Sequence, residues 1–209
     1  MTRLGLLHAV LRLLPLLWVT GCGGFNTPPQ DVLVGLGLMS PVGTPPKVTD
    51  GDRTLVLNQL RLTGTATVGT ALLAAFDARV VPLTAVWNRL TDGPLVRGEY
   101  QQLKLELSAM TLDGTWAADG APPKPFSLTA TGGRGQDFRL KTPWRVELGA
   151  VSTVSLVSDP RLWMSTNQNL EPIDPTAAKA GEQLMDRFFQ SLTAVRDDNH
   201  DGVEDVMLP

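Results

Sequence analysis

The chain has 209 residues, 43% of them hydrophobic, which is enough for one domain with a sizeable core. Its 18 basic and 21 acidic residues give a formal charge of −3, so we expect no basic face and no nucleic-acid partner. A single cysteine excludes a disulfide within the chain. The 16 prolines and 20 glycines, with many Thr, Val and Leu residues, favour β structure with frequent turns.

The first predicted element is an export signal over residues 1–21. Arg3 and Arg12 accompany an apolar run at 13–19 that is too short to span a bilayer as a mature helix of about 20 residues. Val19-Thr20-Gly21-Cys22 follows and resembles the lipobox of bacterial lipoproteins. The resemblance implies cleavage before Cys22, acylation of that residue, and anchoring to a bacterial membrane facing the periplasm or the exterior. An ordinary signal peptide with a chance cysteine is the alternative.

Residues 22–52 are rich in Gly and Pro and predict a tether between the lipid and the domain. An apolar run at 32–39 interrupts them. It is either a first strand docked on the sheet or an adhesive apolar part of the tether. From residue 53 to residue 173, short strand patterns alternate with turn signals. This part of the chain predicts an antiparallel β-sandwich of about seven or eight strands.

Two strand patterns and four turn signals carry that prediction. The apolar phase of residues 54–63 shifts near Asn58 and Gln59, which suggests a bulge. Residues 136–148 alternate apolar even positions with charged odd positions, as a strand with one buried face does. The predicted turns are Asp92-Gly93-Pro94, Asp113-Gly114, Asp119-Gly120 and Gly132-Gly133-Arg134-Gly135.

Three short motifs resemble bacterial surface lipoproteins that carry a small β-sandwich of unknown function. They are Gly98-Glu99-Tyr100, the strand pair at 138–157, and the Asp-Pro-x-x-Trp motif at 159–163. The resemblance implies an envelope protein and assigns no chemistry to it.

The pattern changes to a helical period at residues 174–196. Asp174 can cap a helix and Pro175 fits its first turn. Apolar residues then recur at helical spacing and form one stripe: Ala177, Gly181, Leu184, Met185, Phe188, Leu192 and Val195. We therefore expect an amphipathic helix that packs on the sandwich and leads into an acidic loop at 197–209.

This acidic loop places oxygen ligands at alternate positions. Asp197, Asn199 and Asp201 stand at relative positions 1, 3 and 5, Gly202 allows a bend at position 6, and Asp205 stands at position 9. Calcium takes six to eight oxygen ligands, so the spacing predicts a calcium site.

The spacing resembles the front of an EF-hand loop and the aspartate-rich calcium repeats of thrombospondin type 3 domains. The resemblance implies that Asp197, Asn199 and Asp201 bind by their side chains, Val203 by its carbonyl, and Asp205 directly or through water. Leu208 stands at position 12, where an EF-hand has a bidentate glutamate, and we expect neither an exiting helix nor a partner loop. We therefore expect weak, structural binding of about 10⁻⁴–10⁻³ M. A solvated acidic helix end is the alternative, although the helix dipole disfavours it.

The residue types argue against most enzyme mechanisms. After cleavage His200 is the one histidine, and acylation consumes the cysteine. A zinc site with several histidines and a Cys-His pair are then excluded, and a Ser-His-Asp triad would need His200 itself. We therefore expect a non-enzymatic module that binds an unknown envelope protein or glycan.

Two other functions stay open from the sequence. A carbohydrate-binding module would expose Trp116, Trp163 or Tyr100, whereas Trp87 and Trp144 fall in the buried phase of their strands. An envelope hydrolase would need two paired carboxylates. Its candidates are scattered: Glu99, Glu106, Asp113, Asp119, Asp137 and Glu147.

Overall fold

The computed structural model describes residues 31–40, 45–83, 87–148, 152–166, 171–199 and 201. The strands are β1 (Asp31–Met39), β2 (Lys47–Asp50), β3 (Arg53–Val68), β4 (Ala71–Pro82), β5 (Trp87–Val96), β6 (Gly98–Ala117), β7 (Lys124–Val146), β8 (Thr153–Val157) and β9 (Thr193–Arg196). A 3-10 turn (Pro160–Leu162) and the helix α1 (Ala180–Ser191) lie between β8 and β9. The described residues form a mainly-β, sandwich-like fold of two sheets with a single helix near the C-terminus, which confirms the predicted fold class.

The first sheet has the strand order β5-β1-β8-β9. The apolar run at 32–39 lies inside this sheet as β1, with Val34, Leu36 and Leu38 buried in the core. β1 runs antiparallel to β5 but parallel to β8. This parallel pair departs from the wholly antiparallel sandwich that we expected. It is allowed because more than a hundred residues separate the two strands, so no tight turn fixes their relative direction.

The second sheet has the order β2-β3-β6-β7, and β4 also pairs with β3. β6 occupies one edge of β3 along nearly its whole length, so β2 and β4 share the other edge, at residues 53–56 and 59–68 of β3. The register between β3 and β6 shifts between Leu57 and Gln59. This shift confirms the bulge that the sequence predicts at Asn58.

Of the four predicted turns, Asp119-Gly120 is a turn and two others are wrong because their glycines lie inside strands. Asp119 and Gly120 have φ values of 53° and 70° and form a tight turn, closed by a 2.9 Å hydrogen bond from the amide of Ala121 to the carbonyl of Ala118, within the loop that joins β6 to β7. Gly93 lies within β5, where an added Cβ would stand 1.8 Å from the carbonyl oxygen of Leu73. Gly114 lies within β6, and its Cβ would stand 2.2 Å from the carbonyl oxygen of Val56. At both places glycine permits close approach of another backbone rather than a chain reversal.

The fourth predicted turn, at 132–135, is a bulge inside β7. Gly132 and Gly133 have φ values of 122° and 66°, and the β6–β7 register shifts beside them, between Leu107 and Ala109. Two strands that the sequence separates are therefore one strand of 23 residues.

The two sheets also meet at their edges. β4 and β5 lie side by side at one edge, where Arg79 Nη2 donates to the carbonyl of Arg89 at 2.8 Å. β7 and β9 lie side by side at the other edge. The apolar faces of both sheets therefore enclose one continuous core.

The helix is shorter than the range 174–196 that the sequence predicts. Asp174 caps a separate turn by accepting a hydrogen bond from the amide of Thr176 at 2.7 Å, and α1 begins at Ala180. Residues 193–196 form β9 because β8 offers them a free strand edge for pairing. At the helix start, an added Cβ on Gly181 would lie 2.9 Å from the carbonyl oxygen of Thr129, so α1 packs closely on β7.

The buried face of α1 completes the core next to the 3-10 turn. Leu184, Met185, Phe188 and Phe189 are buried, and the ring of Phe188 meets that of Trp163 edge to face at 5.2 Å. Across the described ranges, no helix combines the length and the apolar character that crossing a bilayer requires.

Candidate functional site

The acidic loop leaves the end of β9 and is fastened to the start of β8. The amide of Asp197 donates to the carbonyl of Thr153 at 3.0 Å. In return, the amide of Thr153 donates to Oδ1 of Asp198 at 2.8 Å. A strand therefore leads into this loop, and the helix-led approach that we expected by analogy with an EF-hand is wrong.

Asp198 serves the fold rather than the candidate site. Its Oδ2 accepts hydrogen bonds from Nε and Nη2 of Arg196 at 2.9 and 2.6 Å. The Arg196 side chain is only 13% exposed, so this ion pair is largely shielded from water. The side chain at position 2 of the predicted loop is thus engaged by Arg196 and by the amide of Thr153.

The structure brings Asp197, Asn199 and Asp201 together. The amide of Asp201 donates to Oδ1 of Asp197 at 2.8 Å and to Oδ1 of Asn199 at 3.0 Å. The Asn199 side-chain amide donates to Oδ2 of Asp201 at 3.1 Å. Asp197 is fully buried, with 0% of its surface exposed. Two carboxylates and one amide oxygen, the ligand types that calcium prefers, are therefore gathered at one end of the domain.

The remaining predicted site residues, Cys22, Gly202, Val203 and Asp205, lie outside the described residues, as does His200. Within the described ranges, no three His, Cys, Asp or Glu side chains are grouped closely enough to hold a metal ion. The described part of the loop supplies two carboxylates and Asn199. The full calcium ligand set stays a prediction.

Three of the four tryptophans after residue 22 serve the interior. Trp144 and Trp163 are fully buried and Trp87 is half-buried. Each donates its indole N–H to a serine on or beside β8: Trp87 to Ser155 at 3.0 Å, Trp144 to Ser152, and Trp163 to Ser158 at 2.7 Å. Trp116 is half-buried and packs against the core. A sugar-stacking platform built on Trp163 is therefore excluded.

The carboxylates considered for a hydrolase are dispersed. Three surface pockets of about 440, 460 and 220 Å³ have one carboxylate each among their lining residues, namely Glu106, Glu99 and Asp137. Glu106 pairs with Lys104 at 2.6 Å, and the hydrogen bond and charge of Glu106 raise the pKa of the Lys104 amine. None of these three pockets supplies the pair of facing carboxylates that glycoside hydrolysis needs.

A further pocket, around Tyr100, could not be predicted from the sequence. Its walls come from three segments of the chain, and Gln101, Gln102 and Arg139 within it carry no motif. Only the pairing of β6 with β7 brings them together.

No protein-family model matches the chain, and no curated protein or solved structure is significantly similar to it.

Proposed function

We propose that the protein is an exported lipoprotein, anchored to a bacterial membrane through acylated Cys22, that acts as a non-enzymatic binding or structural module of the cell envelope. We further propose that its C-terminal loop binds calcium weakly through Asp197, Asn199, Asp201, Val203 and Asp205. The observation that carries the calcium proposal is the hydrogen bonding among the first three residues: the side chains of Asp197 and Asn199 both accept from the amide of Asp201, and Asn199 donates to the Asp201 carboxylate. The lipobox-like sequence carries the anchor.

The fastening of the loop to β8 suggests what calcium does. Asp197 is buried, and its amide donates to the carbonyl of Thr153 at the start of β8. One of the proposed calcium ligands is therefore fixed to the sheet. Residues after Asp201 would supply the other ligands. A bound ion then ties the end of the chain to the β8–β9 edge, so its main effect is on stability.

The size of this effect follows from ligand linkage. With a dissociation constant of about 1 mM, about 10 mM calcium stabilises the folded state by about 1.4 kcal/mol. For a chain of this length, that stabilisation raises the melting temperature by about 3–6 °C.

The test is thermal unfolding of the processed protein, first freed of metal by a chelator and then titrated with calcium. Asp201→Asn removes one carboxylate, and we expect it to abolish most of the calcium-induced rise. Asp119→Asn is the matched control, because it removes one exposed carboxylate from a distant turn where asparagine tolerates the positive φ of 53°.

We expect the control to respond to calcium as the unaltered protein does, and magnesium to give a smaller rise because it needs smaller, octahedral sites. If the unaltered protein shows no saturable response up to about 10 mM calcium, the site assignment is wrong. An equal response to magnesium would indicate charge screening instead.

A further inference from the structure

A polar pocket of about 460 Å³ lies where the β3–β4 turn meets β6 and β7. Its walls are Gly69 from the turn, residues 99–102 of β6, and Arg139 and Pro143 of β7. The amide of Gly69 donates to the carbonyl of Gln102 at 3.0 Å, which fixes the turn against β6. The volume falls within the range of about 300–1,000 Å³ that is usual for small-molecule sites.

An irregularity in strand pairing shapes this pocket. Tyr100 pairs with Trp144 and Gln102 pairs with Arg139, so the four residues 140–143 of β7 lie opposite the single residue Gln101. Extra residues interrupt the ladder of backbone hydrogen bonds and redirect neighbouring side chains. The bulge is anchored by Trp144, which is fully buried. The pocket is therefore built into the sheet rather than formed by a loose loop.

Several polar groups in the pocket are available to a ligand. Within the described part of the chain, the side chains of Gln101, Gln102 and Arg139 form no hydrogen bond or ion pair. Glu99 is held in place, since its Oε1 accepts hydrogen bonds from Nε and Nη2 of Arg145 at 2.9 and 2.5 Å. The hydrogen bond and charge of Glu99 raise the pKa of Arg145.

An oriented aromatic ring completes the pocket. The hydroxyl of Tyr100 donates to the carbonyl of Val96 at 2.6 Å, and the half-buried ring packs on the core. Two glycines flank the ring: an added Cβ would lie 3.8 Å from it at Gly69 and 3.9 Å from it at Gly98. With no side chain at either position, the edge of the ring stays uncrowded.

We propose that this pocket binds a neutral oligosaccharide. Side-chain amides both donate and accept hydrogen bonds, as sugar hydroxyls do, and a carboxylate beside a guanidinium adds an acceptor and donors. Arg139 disfavours a cationic ligand, and the Glu99 carboxylate, although paired with Arg145, opposes the close approach of an anion. An uncharged, polyhydroxylated ligand is therefore the best match. The uncrowded edge of the Tyr100 ring adds apolar contact for the C–H groups of a sugar. This site is separate from the calcium loop and does not depend on it.

Binding at this pocket is expected to be weak. The pocket is open, and flexible glutamine and arginine side chains lose freedom when they are fixed on a ligand. We expect a dissociation constant of about 1 mM.

The protein has a single tyrosine, which makes the pocket directly observable. Incorporation of 3-fluorotyrosine gives one ¹⁹F resonance, at Tyr100. We titrate the processed protein with three neutral probes, chitotriose, maltotriose and cellotriose, and expect a saturable shift with at least one of them. Gln102→Ala and Arg139→Gln should each weaken that binding at least five-fold. Gln190→Ala, on an exposed position of α1, is the matched control and should change it less than two-fold.

Each of the following outcomes would overturn the proposal. A resonance that does not move with any of the three probes up to about 20 mM excludes a saccharide site. A linear shift that glycerol reproduces indicates a solvent effect, and a saturable shift with sodium glucuronate alone indicates an anion site at Arg139. Equal loss of binding in Gln190→Ala and Gln102→Ala would show that the probe binds elsewhere. The ¹⁹F shift without ligand and the far-UV circular dichroism show whether each variant is folded.

Discussion

Replacement of Gly93 by alanine tests how the two sheets are joined. Gly93 lies within β5, and an added Cβ would stand 1.8 Å from the carbonyl oxygen and 2.8 Å from the carbonyl carbon of Leu73 in β4. Both contacts are with backbone, so no side-chain rotation relieves them. The strands must move apart at the edge where the sheets meet.

The expected loss of stability follows from two opposing terms. Overpacking a well-packed site costs about 1–3 kcal/mol, and a clash with backbone belongs at the upper end of that range. Alanine also restricts the unfolded chain, which stabilises the protein by about 0.4–1 kcal/mol. The net loss is about 2 kcal/mol, and the melting temperature should fall by about 4–8 °C.

Gly98→Ala is the matched control, because its Cβ would lie no closer than 3.9 Å to any neighbouring atom. We expect this variant to be neutral or slightly stabilised. Unfolding in urea, followed by tryptophan fluorescence, measures both variants. If the two have the same free energy of unfolding, β4 does not approach β5 as described, and Gly93 marks an open turn as the sequence predicts.

Two further predictions separate the roles of residues near the ends of the chain. Asp198→Ala leaves the largely buried Arg196 without its ion-pair partner, so we expect a loss of about 3 kcal/mol in urea unfolding without calcium; a loss below about 0.5 kcal/mol would contradict the pairing. Because Asp198 is not a calcium ligand in the proposed site, the calcium-induced rise in melting temperature should survive in this variant. Cys22→Ser should abolish incorporation of radiolabelled palmitate and release the protein from the membrane fraction of a bacterial host. Labelling that persists in Cys22→Ser would exclude the lipid anchor at this residue.

The candidate loop could be predicted only in part. The alternation of Asp197, Asn199 and Asp201 is a local pattern. In the structure the side chains of Asp197 and Asn199 accept from the amide of Asp201, and Asn199 donates to the Asp201 carboxylate. The approach to the loop could not be predicted, because Leu192 and Val195 continue the helical spacing of α1. Residues 193–196 become a strand because β8, nearly forty residues earlier, offers them backbone partners.

The sequence by itself determined the mainly-β class, the bulge at Asn58 and the turn at Asp119-Gly120. Each of these depends on neighbours along the chain, where the alternation of side chains and the tolerance of positive φ act directly. Only the tertiary structure decided the parallel pairing of β1 with β8 and the roles of Gly93 and Gly114. The sequence does not distinguish a glycine in a turn from a glycine that lies in close contact with a neighbouring strand. In the second case, the carbonyl oxygen that leaves no room for a side chain belongs to a residue far away in the sequence.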